Sequence, residues 1–239
     1  MMEGIKQLQA GLARMGVSHT EKQADSLLQY LSLLLSANER MNLTAVTEWE
    51  IAISRHLLDS ASLLTIHTPK RGARILDVGT GGGLPGMVLA ILCPEAQFTL
   101  MDATVKKVDF LQEAIGVLEL PNVKTITGRA EELAQDRAHR ERYDLVMARA
   151  VAPLKTLVEY LVPFLRVGGT CIAYKGKRAK AEVEEARKAY QILGGGPPRV
   201  VAMDYDTEGE GFFLVQSKKQ RPTPKKYPRV GGAPRKNPL

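Results

Sequence analysis

Aromatic residues make up only 5% of the 239-residue chain, which excludes a ligand surface built from a broad array of stacked rings. There are two cysteines, Cys93 and Cys171, each in an apolar stretch, and together they make neither a disulfide framework nor a metal-ligand cluster. They read as buried thiols in a reducing compartment. No apolar run reaches the roughly 18 residues of a membrane span. The opening MMEGIKQLQAGLARMG also lacks the apolar core of a signal peptide. These absences predict a cytoplasmic chain with no membrane attachment. No internal repeat is present. A hydrophobic share of 44% and a charged share of 25% suit an ordinary globular protein, and the length suits one α/β domain with a modest extension.

Acidic residues are wholly missing from one segment. Residues 218–239, KKQRPTPKKYPRVGGAPRKNPL, hold eight basic residues and no acidic one. Taking these eight from the 33 Lys and Arg leaves 25 against 26 acidic residues, so a chain of net charge +7 has a body of net charge −1. The positive charge is concentrated in a Pro- and Gly-rich tail. Composition alone predicts that this tail is extended: either a solvated terminus or an arm that neutralises nucleic-acid phosphates.

The first 70 residues carry helical signals. Thr20-Glu21-Lys22-Gln23 has the form of a capping box, and Leu27, Leu31, Leu34 and Leu35 follow at helical spacing. A second box, Thr47-Glu48-Trp49-Glu50, is expected to start a helix bearing Ile53, Leu57 and Leu64. From residue 73 the pattern changes to short apolar runs, with helical periodicity between most of them. Strands are expected at Ala73–Val78, Gln97–Asp102, Val123–Ile126, Leu145–Ala148, Thr170–Lys175, Val200–Asp204 and Phe212–Gln216. Such alternation implies a mainly parallel sheet covered on both faces. Only a turn around Glu208-Gly209-Glu210-Gly211 separates the last two strands, which predicts an antiparallel hairpin at the sheet edge. The expected architecture is therefore α/β: a Rossmann-like, seven-stranded sheet ending in a hairpin, as in class I methyltransferases. Residues 1–70 form a helical cap, 71–217 the sheet domain and 218–239 the basic tail.

The chemistry is concentrated in Arg74-Ile75-Leu76-Asp77-Val78-Gly79-Thr80-Gly81-Gly82-Gly83-Leu84-Pro85-Gly86, a strand running into a glycine-rich turn with Pro85 at the start of a helix. Gly81, Gly83 and Gly86 satisfy the dinucleotide pattern G-x-G-x-x-G, a weak signal alone. Asp77-x-Gly79-x-Gly81 is more specific. It sets a carboxylate at the strand end, unwelcome to a pyrophosphate but favourable to the ammonium and sulfonium of S-adenosyl-L-methionine, directly or through water. Asp102, about 20 residues beyond the glycines, suits both hydroxyls of a ribose without choosing between cofactors. The loop Thr127-Gly128-Arg129-Ala130-Glu131-Glu132 is expected to border the adenine through Ala130 and Glu131. Glu132 reads equally well as a first-turn acid. Arg149, at the carboxyl end of a strand, faces the ligand crevice and suits positioning of a base or phosphate. No Asn/Asp-Pro-Pro-aromatic motif for exocyclic amines is present, and no cysteine stands where pyrimidine C5 chemistry needs one. A ring nitrogen with a free lone pair, such as guanine N7, needs neither device, so no proton-transfer residue is nominated.

These segments, with Met41-Asn42-Leu43-Thr44, Arg55-His56-Leu57-Leu58-Asp59-Ser60, Ala148-Arg149-Ala150, Tyr174-Lys175-Gly176 and the ending Tyr227-Pro228-Arg229 through Pro238-Leu239, resemble the bacterial 16S ribosomal RNA guanine-N7 methyltransferases, also known as glucose-inhibited division protein B. The resemblance runs from Asn38 to Leu239. It implies cofactor contacts at Gly79, Leu84, Asp102, Ala103, Thr104, Ala130, Glu131 and Arg149. Near a target guanine it implies Arg40, Asn42, His56 and Lys175. By their positions alone, His56 reads as a partly buried helix histidine, Asn42 as a turn residue and Lys175 as an edge lysine. The implied partner is 16S ribosomal RNA or a small-subunit assembly particle, acted on by a monomer. Two other functions fit parts of the sequence: a nicotinamide-dependent oxidoreductase, through the glycine pattern, and a non-catalytic RNA-binding protein.

Overall fold

The structure, a computed structural model, describes residues 2–203 and 211–239. Two helices open the chain, α1 (Met2–Arg14) and α2 (Glu21–Met41). The Thr20 capping box forms as expected: Thr20 Oγ1 accepts from the Gln23 backbone at 3.2 Å, and Gln23 Oε1 accepts from Thr20 N at 2.9 Å. The second box does not form. The next helix, α3 (Trp49–Ala52), has Glu48 as N-cap with no side-chain cap bond. Beyond α3 the chain departs from regular α-helical winding: a π-helical turn (Ile53–Leu58) leads into α4 (Asp59–Ala61) and a 3-10 turn (Ser62–Thr65).

The sheet contains β1 (Arg74–Val78), β2 (Gln97–Asp102), β3 (Val123–Thr127), β4 (Tyr143–Arg149), β5 (Leu165–Lys175), β6 (Arg199–Met203) and β7 (Phe212–Lys218). Between them lie α5 (Gly86–Leu92), α6 (Val105–Val117), α7 (Ala130–Leu133), α8 (Leu154–Leu161) and α9 (Ala179–Leu193). Strand order is β3-β2-β1-β4-β5-β7-β6, with β7 antiparallel to both neighbours and the other pairings parallel. The expected seven strands and closing hairpin are present. β5 is longer than its apolar signal because Leu165–Gly169 extends it toward β4. Of the expected hairpin, Asp204 and the turn residues Glu208 to Glu210 lie outside the described residues.

Alternation along the central strands supplies two separate cores, as a sheet covered on both faces requires. Ile75, Leu145, Met147, Ile172 and Tyr174 point into one cluster; Leu76, Val146, Ala148, Cys171 and Ala173 point into the other with α8 and α9. The cap helices do not stand apart. Leu27, Tyr30, Leu31 and Leu34 of α2 share a buried cluster with Met87 and Val88 of α5 and with Phe110 and Leu111 of α6.

The basic tail is not extended, which corrects the expectation from composition. Lys219 has a 0% exposed side chain, and its ammonium donates to Glu141 Oε1 at 2.8 Å, Val162 O at 3.1 Å and Leu165 O at 2.8 Å. Arg140 donates to Tyr227 O at 2.7 Å and Thr223 O at 2.9 Å. Arg229 pairs with the buried Glu159 at 2.7 Å, and a short helix, α10 (Ala233–Lys236), ends the chain. Charges that composition assigns to solvent are thus partly consumed in pinning the tail to the body. Replacing Lys219 by Met leaves one carboxylate oxygen and two carbonyls short of a donor. About 2–3 kcal/mol of stability should be lost, read as a lower urea midpoint at unchanged slope.

Candidate active site

β1 and β4 are neighbours whose connections leave in opposite directions, and the carboxyl ends of strands at such a point frame the ligand crevice of an open α/β sheet. Two cavities open there. The larger, about 700 Å³, is lined by Leu43 to Val46, Arg55, His56, Asp59, Gly79 to Gly82, Leu84, Arg149, Lys175, Glu182 and Phe212, among others. The smaller, about 320 Å³, is lined by Gly79, Asp102, Ala103, Ala130, Glu131, Val151, Tyr160 and others. Gly79, with φ of 67°, belongs to both walls and marks where they meet.

Asp77 shapes this junction from beneath rather than by facing the cavity. It is 0% exposed; its Oδ2 accepts from Thr80 Oγ1 at 2.7 Å and from Gly86 N at 2.8 Å. Burial pushes its pKa up to about 6 against the lowering effect of these two hydrogen bonds. Among the described residues its bonds are structural, bracing the glycine turn from within the fold. The same bond matters for ligand choice: the first N–H of α5, which a pyrophosphate would need, is already occupied by a carboxylate. Gly83 serves packing, since a Cβ there would lie 2.6 Å from Met87 Cγ and 2.9 Å from Tyr30 Oη. The turn is also held from the cap, where the Tyr30 hydroxyl donates to Gly82 O at 2.7 Å.

Asp102 ends β2 with both oxygens in use, accepting from Gly81 N at 3.0 Å and Thr104 N at 2.9 Å. Each oxygen keeps lone-pair capacity toward the smaller cavity, so the carboxylate can brace two loops and still accept ribose hydroxyls. Glu131, 5% exposed, lies across the same cavity with Ala103 and Ala130.

The larger cavity takes its polar wall from the π-helical turn. Asp59 N–H reaches back to Ser54 O, and the widened turn puts Arg55, His56 and Asp59 on the cavity together. Arg149 Nη1 donates to Asp59 Oδ2 at 2.8 Å and to Arg55 O at 3.0 Å. With side-chain exposures of 18% and 6%, Arg149 and Asp59 form a largely buried pair. His56 Nε2 lies 2.8 Å from Thr44 Oγ1, while its Nδ1 is buried without a partner. Burial, aided by the Arg149 charge, pulls its pKa down to about 4, so the ring is neutral near pH 7. Lys175 lines the cavity, but its ammonium is engaged by Glu182 Oε2 at 2.7 Å and Ala152 O at 2.8 Å.

Of the residues expected from sequence, Gly79, Gly81, Leu84, His56, Arg149 and Lys175 line the larger cavity, and Asp102, Ala103, Ala130 and Glu131 the smaller. Arg40, Asn42 and Thr104 line neither. Asn42 closes α2 in the left-handed region at φ 51°, and so aims the Leu43–Val46 segment that does reach the cavity. Sequence reasoning missed Asp59, Glu182 and Phe212. Asp59 lay inside a quoted motif; the other two carry no local signal.

His56 and Asp77 titrate in opposing senses. The lowered pKa of His56 gives stability that is full above 6.5 and lost as pH falls toward about 4. The raised pKa of Asp77 removes stability as pH rises from 3.8 toward about 6. In His56→Gln the first contribution disappears. The stability gap between parent and variant should therefore shrink by about 3 kcal/mol from pH 7 to pH 4, measured as denaturant midpoints at each pH.

Comparison with known proteins fits this geometry. The family model for rRNA small subunit methyltransferase G matches residues 23–208. The chain is 40% identical over 240 residues to ribosomal RNA small subunit methyltransferase G of Alkaliphilus metalliredigens, covering 100% of both proteins. It is 42% identical to the protein of that name from Lachnoclostridium phytofermentans, over 96% of this chain and 95% of the relative. Among solved structures, an S-adenosylmethionine-dependent methyltransferase from Aquifex aeolicus superposes with a TM-score of 0.53 at 20% identity, over 67% of this chain and 89% of that one. A precorrin-6y C5,15-methyltransferase from Geobacter metallireducens gives a TM-score of 0.52 at 13% identity, over 68% and 88%. At those identities the structural matches speak for the fold alone, a class I methyltransferase sheet. With the cavity pair at its switch point and full-length relatives at about 40% identity, the chain belongs to the rRNA small subunit methyltransferase G family.

Proposed function

We propose that the protein transfers a methyl group from S-adenosyl-L-methionine to N7 of a guanine in 16S ribosomal RNA, presented as free RNA or as a small-subunit assembly particle. The residues present fit the donor. Asp102 and Glu131 supply carboxylates at the smaller cavity, Gly79 and Gly81 let a ligand approach the backbone, and Asp77 occupies the helix N-terminus that a pyrophosphate would use. That last contact speaks against the nicotinamide alternative. S-adenosyl-L-methionine, when bound, supplies an electrophilic methyl group on a sulfonium.

The observation that carries the choice of acceptor is the absence of a strong free base among the described residues lining the larger cavity. His56 is neutral and weakly basic, Asp59 is engaged by Arg149, and Glu182 by Lys175 and Leu154 N. Guanine N7 carries a lone pair and no proton, so attack on the methyl group requires no base. What these residues can supply is orientation, which is enough for a large share of the acceleration. Phe212, with the Arg55 guanidinium 5.2 Å from its ring centroid, and Tyr174 are aromatic residues in the lining of this cavity. Arg149, paired with Asp59, stands at the carboxyl end of β4 in the same lining as Gly79, which supports a role in holding the base against the donor. We further propose that the protein acts as a monomer in the cytoplasm.

The direct test is transfer of a labelled methyl group to small-subunit RNA, free or in particles, from cells lacking the protein, followed by mass spectrometry of the nucleosides. One added 7-methylguanosine is expected; no transfer to either substrate overturns the proposal. Two variants separate the roles. Asp102→Ala should weaken S-adenosyl-L-methionine binding by about tenfold or more, seen by calorimetry. Asp59→Asn should leave that affinity within about threefold while lowering kcat on the order of 10- to 100-fold, because Arg149 loses its ion-pair partner and is held less firmly by the Arg55 carbonyl and a neutral amide.

A further inference from the structure

The same C-terminal segment that composition reads as a free arm ends at the cofactor cavity. Gly232 and Arg235 line the smaller cavity together with Asp102, Ala130, Glu131 and Tyr160. The segment is brought there by a bracket around Arg229. Its backbone N–H donates to Glu159 Oε1 at 2.7 Å, its Nη2 donates to Glu159 Oε2 at 2.7 Å, and the same Nη2 donates to Asn237 O at 2.8 Å. One guanidinium thus ties both ends of the 229–237 turn to a wholly buried carboxylate on α8. Just upstream, Gln135 Nε2 donates to Pro228 O at 2.7 Å. Gly232 turns the chain at φ 73° into α10, whose Pro234 is buried. The Arg235 backbone N–H donates to Gly232 O at 3.2 Å, while its exposed guanidinium makes no hydrogen bond or ion pair among the described residues. Its anchored backbone therefore presents an unspent planar cation at the cavity.

We propose that this C-terminal strap is the outer wall of the donor site, and that Arg235 is a binding residue for the adenine end of the donor. The inference rests on the S-adenosyl-L-methionine reading of the site. A guanidinium suits a purine, since it stacks on the ring as a plane and donates to ring nitrogens. The cavity also supplies the remaining walls a flat base requires, with Met101, Ala130, Val151, Pro153 and Tyr160 lining it. Asp102 sits in the same cavity, so a nucleoside whose ribose binds there has its base within this enclosure. Arg235 acts at the end of the donor that is the same before and after methyl transfer.

The sharpest test compares S-adenosyl-L-methionine with S-adenosylhomocysteine, which share the adenosine and differ at sulfur. Arg235→Ala should weaken both by the same factor, about tenfold in Kd by calorimetry, with the ligand-free melting temperature unchanged. A chain ending at Val230 keeps Arg229 on Glu159 and should weaken both ligands further. Unchanged Kd values for Arg235→Ala overturn the inference, and do so most clearly if RNA affinity falls instead and loses salt dependence, marking a phosphate contact. A fall confined to S-adenosyl-L-methionine also overturns it, because it places the effect at sulfur. If the unaltered protein binds neither compound, the donor reading fails and this inference with it. Parent binding with an indifferent Arg235→Ala removes this inference alone.

Discussion

The site depends on one buried carboxylate. Asp77 joins the first N–H of α5 to the Thr80 hydroxyl, and so sets the path of the glycine turn that separates the two cavities. A carboxylate with no exposure and one oxygen unpaired is costly to ionise, which is why its pKa rises to about 6. The fold tolerates that cost where the turn must be rigid. Asp102 from β2 and Tyr30 from α2 add their bonds to neighbouring positions of the same turn. Strand, helix and cap converge on a few backbone atoms.

Electrostatics around the larger cavity are spent internally. Arg149 is paired with Asp59 and Lys175 with Glu182, and His56 carries no charge near neutrality. This distribution suits a reaction in which positive charge passes from sulfur to a purine and no proton changes hands. The two carboxylates of the lining, Asp59 and Glu182, are neutralised locally, leaving groups such as Lys107 on the cavity wall to meet phosphate.

Much of the fold was legible in the sequence because sheet burial imposes it. Ile75, Leu76 and Val78 alternate between two cores, and that demand appears as an apolar run ending in glycines. The glycine loop, Asp102 and Arg149 were legible for the related reason that strand ends place them at the switch point. Asp77 was found at its strand end, but its burial and its bonds to Thr80 and Gly86 N were not legible, since spacing shows a residue's position along a strand and not which way its side chain turns. The tail was misjudged because composition counts charges without their partners: Lys219 meets Glu141 and Arg229 meets Glu159, each about 70 residues or more away in sequence. Phe212 and Glu182 could not be read because they reach the cavity only through tertiary folding.

The π-helical turn at Ile53–Leu58 has an evolutionary corollary. Such a turn equals an α-helix with one residue inserted, and the surplus residue is what sets Asp59 against Arg149. Deleting any single residue there would restore regular winding and swing everything on one side of it by about 100° relative to the other. The segment can therefore tolerate a change of identity far more readily than a change of length.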